Sequence, residues 1–74
     1  SGGEVRTLRR RRAQLSERER EVMVHTAAGH SPKEGGRKLG LSPRTVEVHR
    51  RNVFTKMGAA NSVELSRMLT LLEG

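Results

Sequence analysis

Four side chains in the second half of the chain have the types and spacing to recognise a ligand: Arg44, Val48, Arg51 and Thr55. On a helix turning about 100° per residue they share one face. Val46, Val53 and Met57 fall on the opposite face, at i, i+7 and i+11, as one apolar stripe. A solvated helix more often carries alternating Glu and Lys on its outer side. This face is basic, with one small apolar side chain and one hydroxyl, and suits an anionic surface that also presents methyl groups. The major groove of DNA is such a surface.

The elements that must position this face are marked by capping signals. Ser42 followed by Pro43 is an N-cap with proline in the first turn, and predicts a helix over 43–57 that Gly58 terminates. Leu15 precedes Ser16-Glu-Arg-Glu19, a capping box that opens a helix running to about Ala28, with Gly29 behind it. Val22 and Met23 are its expected core anchors. His25 and Thr26 lie on the same side, and His25 is expected to be half-buried and hydrogen-bonded. Ser31-Pro-Lys-Glu34 is a second capping box, opening a short helix to about Leu39 that Gly40 ends. Gly35 and Gly36 sit in the middle of it. Either they allow a neighbour to approach closely, or the helix is simply weak. Asn61-Ser-Val-Glu64 caps a last helix to about Leu72, with Leu65, Met68, Leu69 and Leu72 as its core stripe. Helix, Gly, tight turn, Ser-Pro, helix is the helix-turn-helix pattern. The expected fold is therefore all-α, with four helices and no strands.

Composition sets the bounds. The 74 residues allow one domain with a small core, and 32% hydrophobic with 1% aromatic residues make that core aliphatic and thin. The formal charge of +7 is the electrostatic footprint of a nucleic-acid binder. It is localised: residues 42–57 carry Arg44, Arg50, Arg51 and Lys56 against Glu47, whereas residues 62–73 carry only Arg67 against Glu64 and Glu73. The absence of cysteine excludes disulfides and thiolate metal sites, and is compatible with a reducing cytoplasm. No apolar run is long enough to span a bilayer. The three histidines lack the spacing of a metal site, no glycine-rich phosphate loop follows a strand, and a core this small encloses no pocket. The expectation is a non-enzyme with no catalytic residues, metal or cofactor.

Ser1-Gly2-Gly3 has the composition of a cloning remnant. Residues 4–14 hold five arginines and one glutamate without a sustained apolar stripe. They are expected to form a solvated basic linker, or else an arm that touches phosphates or packs on an upstream domain. The domain proper is expected to occupy residues 15–74.

From residue 15 onward the pattern resembles the LuxR/FixJ-type (GerE-like) helix-turn-helix output domain of bacterial transcription regulators. The resemblance is carried by Leu15-Ser-x-Arg18-Glu19-Arg20-Glu21-Val22-Met23, Ala27-x-Gly29, Ser31-x-Lys33-Glu34, Leu39-x-Leu41-Ser42, and Thr45-Val46-x-x-His49-x-x-Asn52-Val53-x-x-Lys56-Met57-Gly58. It covers residues 15 to about 72. Gly35-Gly36 replace the usual isoleucine–alanine pair, His25-Thr26 replace usual aliphatics, Glu47 replaces a common lysine or other polar residue, and Ser62 stands where arginine is frequent.

The resemblance implies that the 43–57 helix is the recognition helix, entering the major groove while the preceding helix crosses the backbone. Arg51 is then the candidate for a bidentate contact to a guanine edge, and Val48 for a thymine methyl. Glu47 would accept from a cytosine amino group, or else pair with Arg50 or Arg51. Arg44 would reach a base or a phosphate. Thr45, Arg50 and Lys56 suit phosphates, as do Ser31 and Lys33 at the start of the preceding helix. His49 and Asn52 sit between core and flank, where a structural role and a phosphate contact both remain open. Phe54, the only aromatic residue, is expected to pack, with base stacking as the alternative. Members of the family commonly pair through their last helix, which makes Val63, Arg67, Thr70 and Leu71 the candidate seam of a weak homodimer. The expected partner is double-stranded DNA, and the expected parent a cytoplasmic two-component response regulator. The alternative is a protein-interaction module that binds RNA polymerase or another regulator.

Overall fold

A computed structural model of the chain describes residues 2–74. It contains five helices: α1 Gly2–Arg12, α2 Glu17–Ala27, α3 Pro32–Leu39, α4 Pro43–Met57 and α5 Ser62–Glu73. The four helices expected from capping and periodicity are α2 to α5, and no strand occurs among the described residues.

Local chemistry accounts for the helix starts. Ser16 and Ser31 each accept from the backbone N–H three residues on, while Glu19 and Glu34 accept from the N–H groups of Ser16 and Ser31. Ser42 and Asn61 cap α4 and α5 through Thr45 N–H and Glu64 N–H. Such caps each stabilise a helix by roughly 1 kcal/mol, because they satisfy donors that have no partner within the helix. Left-handed glycines at positions 29, 40 and 58 close α2, α3 and α4.

The core is a single cluster. It takes Met23 from α2, Val53 and Met57 from α4, Leu65, Met68 and Leu72 from α5, and Leu8 and Leu15 from the N-terminal segment. Val22 and Val46 are also buried. Burying each of these side chains contributes about 1.5–3 kcal/mol.

The leader departs from expectation. Residues 2–12 form a helix instead of a solvated linker. Arginine is a good helix former, and Arg9 to Arg12 occupy the last turn, where the helix dipole favours cations. Those local preferences alone would leave a marginal helix. Three tertiary contacts hold it: Leu8 is buried in the core, Arg11 Nη1 donates to the Met57 carbonyl at 3.0 Å, and Arg67 pairs with Glu4 at 2.9 Å. Gly58, beside that guanidinium, owes its identity to its left-handed backbone at φ 71°.

The two glycines of α3 have different reasons. A Cβ on Gly36 would collide with the Leu41 carbonyl oxygen, so this position is where the helix meets the turn into α4. The Leu41 N–H closes the same turn on the Gly36 carbonyl at 2.9 Å. A Cβ on Gly35 would sit at 3.7 Å from Val46 Cγ1 and 3.8 Å from His25 Cβ, ordinary contact distances. Close approach is therefore the reason at 36 and not at 35. His25 is half-buried and shares a 3.1 Å Nδ1···Nδ1 hydrogen bond with His30, which ties the end of α2 to the start of the next turn.

Candidate nucleic-acid interface

Helix α4 divides its side chains cleanly. Val46, Val53 and Met57 are buried, while Arg44, Thr45, Glu47, Val48, Arg51 and Thr55 are exposed. Val48 is 45% exposed, a hydrophobic side chain left open in the middle of a basic face. The four candidate base readers, Arg44, Glu47, Val48 and Arg51, thus stand together on the outer side of one rigid helix. Among the described residues no ion pair joins Glu47 to Arg50 or Arg51, so its carboxylate is available as an acceptor.

The start of α4 is open as well. Pro43 has no N–H, and the Thr45 N–H is taken by Ser42, which leaves the Arg44 N–H as the first-turn donor. The Thr45 hydroxyl lies 2.9 Å from that of Ser42, and both are exposed. At α3, the capping box occupies the N–H groups of Ser31 and Glu34, and leaves the Lys33 N–H together with its exposed ammonium. The Ser31 N–H holds the Glu34 carboxyl below its ordinary value.

Several candidate contacts are engaged internally instead. Lys56 was expected on a phosphate-facing flank. Its Nζ lies 2.8 Å from Glu19 Oε1 and 3.4 Å from the Gln14 carbonyl. Glu19 is only 5% exposed, and Lys56 together with the Ser16 N–H holds its carboxyl below the ordinary 4.5, with a smaller contribution from Asn52. Lys56 therefore braces α4 against the start of α2. Arg50 is half-buried, with its guanidinium 5.7 Å from the centre of the Phe54 ring. Phe54 itself packs against the core.

His49 is half-buried, and its Nδ1 is buried without a partner. An unpaired buried acceptor costs less than an unpaired buried N–H, so this environment favours the tautomer with the proton on Nε2.

The candidate dimer seam is only partly free. Val63 is 79% exposed. The Thr70 hydroxyl donates to the Ser66 carbonyl at 3.1 Å, Arg67 is tied to Glu4, and Leu71 is half-buried against the core. Three of the four residues thus make contacts within the monomer. For Arg67 the reason is α1, which packs on α5 and supplies Glu4. Sequence reasoning missed Leu8, Arg11, Glu19 and Gly36 as positioning residues. Glu19 in its capping box and Gly36 in its pair were visible along the chain without their tertiary partners, and Leu8, an apolar residue beside the arginine run, was the one sign of a docked leader.

Comparison with known proteins places the chain. Residues 13–69 match the family described as bacterial regulatory proteins, luxR family. The chain is 49% identical over 55 residues to the transcriptional regulatory protein UhpA of Escherichia coli, covering 74% of this chain and 28% of UhpA. It is 52% identical over 62 residues to the transcriptional regulatory protein FixJ of Azorhizobium caulinodans, covering 84% of this chain and 29% of FixJ. It is also 52% identical over 50 residues to the C4-dicarboxylate transport transcriptional regulatory protein DctR of Rhodobacter capsulatus, covering 68% of this chain and 25% of DctR. The chain therefore spans less than a third of the length of these relatives. No solved structure matches it. With the family's helix-turn-helix arrangement, the capped α3–α4 pair and the exposed basic face of α4 all present, the chain belongs to the LuxR family of bacterial regulatory proteins.

Proposed function

We propose that this chain binds double-stranded DNA sequence-specifically, as the output domain of a two-component response regulator, with α4 in the major groove. One observation carries the reading. The outer face of α4 presents Arg44, Glu47, Val48 and Arg51 without internal partners, while its inner face is anchored in the core. Arg51 takes a guanine edge, Val48 a thymine methyl, Glu47 a cytosine amino group, and Arg44 a base or phosphate near the helix start. Thr45, the Lys33 ammonium and the N–H groups at the starts of α3 and α4 hold phosphates. His49 joins them through its Nε2–H. Ser31 contributes through its place at the α3 start and Arg50 through the part of its guanidinium that Phe54 leaves open. Lys56 and Asn52 position the helix. Among the described residues no helix is long and apolar enough to cross a membrane, and on this reading a DNA partner puts the chain's work in the cytoplasm.

One helix reads only a few base pairs, so two copies bind a two-fold-related site. Val63 and Thr70 form the most open part of the seam, with Arg67 and the half-buried Leu71 at its edge. Selection of bound sites from a random duplex pool tests the whole reading. Enrichment of a two-fold-symmetric motif is expected. Arg51→Ala is expected to relax preference at one base pair in each half-site, by about 1–3 kcal/mol of discrimination. An Arg51→Ala chain that enriched the same motif with unchanged affinity would overturn the assignment.

A further inference from the structure

Helix α1 carries a second basic surface that the groove-reading arrangement does not use. Arg6, Arg9 and Arg10 follow one another at i, i+3 and i+4, so they share one face, and all three are exposed. Leu8, Arg11 and Glu4 lie on the other side and make the contacts with α4 and α5. None of Arg6, Arg9 and Arg10 has a carboxylate partner, and the only ion pair of α1 among the described residues is that of Glu4. Stabilisation of the helix dipole accounts for cations in the last turn, where Arg9 and Arg10 lie, but not for Arg6 one turn earlier. Like charges at i and i+4 repel, so Arg6 and Arg10 weaken α1 unless an anion lies across them.

The face is also fixed in space. The Arg11 hydrogen bond to the Met57 carbonyl joins α1 to the C-terminal end of α4, and Leu8 shares a core cluster with Val53 and Met57. The row from Arg6 to Arg10 covers about 6 Å of helix axis. Each strand of duplex DNA carries a charge every ~3.4 Å of the helix axis, so a row of this length spans about two phosphates of one backbone.

We propose that the outward face of α1, formed by Arg6, Arg9 and Arg10, is a second phosphate-binding surface that grips the duplex backbone outside the groove read by α4. It contributes affinity and salt dependence but no base preference. The inference rests on DNA binding by α4, and its test separates the two.

The test compares the full chain with the triple variant Arg6→Gln, Arg9→Gln, Arg10→Gln on two probes. One is a duplex recovered by selection from a random pool, and the other is an unrelated duplex of equal length. Affinity is measured from 50 to 300 mM NaCl. The variant is expected to lose about 2–3 from the slope of log K against log salt. At 0.1 M salt it is expected to bind both probes on the order of 10²-fold more weakly. The ratio between the probes should not change. Restoring charge with lysine at the three positions should recover the slope, and circular dichroism should report the same helix content throughout. Arg20→Glu, which removes two charges from α2, is expected to have the smaller effect on the slope.

An unchanged slope in the triple variant would overturn the proposal. So would an equal or larger loss with Arg20→Glu, which would show that only the general field of the protein matters. Loss of binding to anionic lipid vesicles with duplex binding intact would assign the face to a membrane and also overturn it. If the unmodified chain shows no preference between the probes while the arginine effect remains, base reading by α4 fails and the phosphate surface stands.

Discussion

The two arginine-rich helices, α1 and α4, are attached to the same core by different means. α4 buries Val46, Val53 and Met57 along its length, and its own cap starts it. α1 buries Leu8 alone, and relies on two polar ties, Arg11 to the Met57 carbonyl and Glu4 to Arg67. The charge content is similar, but the distribution of apolar area is not. α4 is therefore part of the cooperative unit, whereas α1 is docked onto it. That difference suits the roles proposed for them: a helix that reads bases must hold its side chains to sub-ångström tolerance, and one that grips phosphates need not.

The largest expected effect lies in the shared core. Met57→Ala should cost about 2–5 kcal/mol in urea denaturation, because Met57 is fully buried and its removal leaves a cavity. In a domain of this size each kcal/mol lowers the melting temperature by about 4–8 °C, so the variant should melt at least about 8 °C lower. Leu8→Ala should cost less, about 2 kcal/mol, since the surface around a docked helix can relax. It should also remove the dichroism of α1 before the main transition. Equal losses in the two variants would break the comparison and make α1 as integral as α4.

Next come the glycines that hold the turn into α4. Gly36→Ala should destabilise by roughly 1–3 kcal/mol, because the Leu41 carbonyl must move. Gly35→Ala should stabilise by about 0.5–1 kcal/mol, since the added methyl group reaches Val46 and His25 at ordinary distances and the unfolded chain loses freedom. The two melting temperatures should move in opposite directions. A rise in both would show that α3 is merely weak.

The Glu19–Lys56 brace gives a pH test. Lys56 and the Ser16 N–H lower the Glu19 pKa in the folded protein relative to the ordinary 4.5. Its stabilisation is thus fully present above that value, and is lost as the pH falls through the lowered one. Urea midpoints measured from pH 6 to pH 3 should fall on the acid side, and Glu19→Gln should flatten that limb. A steep acid limb in Glu19→Gln would move the effect to other carboxylates. The smallest change is expected for Glu4→Gln, which removes an exposed pair and should leave the melting temperature unaltered within error. A fall larger than that of Leu8→Ala would show that charge, not apolar burial, docks α1.

Much of the architecture is legible along the chain. Ser16, Ser31, Ser42 and Asn61 mark four helix starts, and each mark works through a hydrogen bond three residues long. The stripe Val46, Val53, Met57 likewise separates the inner and outer sides of α4 without any knowledge of neighbours. The arginine run gives no such sign. Arginine tolerates helix and solvated coil alike, and only the reception of Leu8 by the core decides between them. The same holds for Lys56. Its position on a flank of α4 suits a phosphate, and nothing local reveals that Glu19 waits opposite.

The amino-acid sequence by itself therefore determined the four capped helices, the inward and outward faces of α4, and through them the family. These follow from capping and periodicity, which act over a few residues. Tertiary structure alone decided that residues 2–12 are helical, that Lys56 braces and Arg67 is tied down, and that Gly36 is required while Gly35 is not. Glu19 meets Lys56 across 37 residues, Arg11 meets Met57 across 46, and Glu4 meets Arg67 across 63. Contacts at such separations depend on how the helices pack, and no local pattern in the chain encodes them.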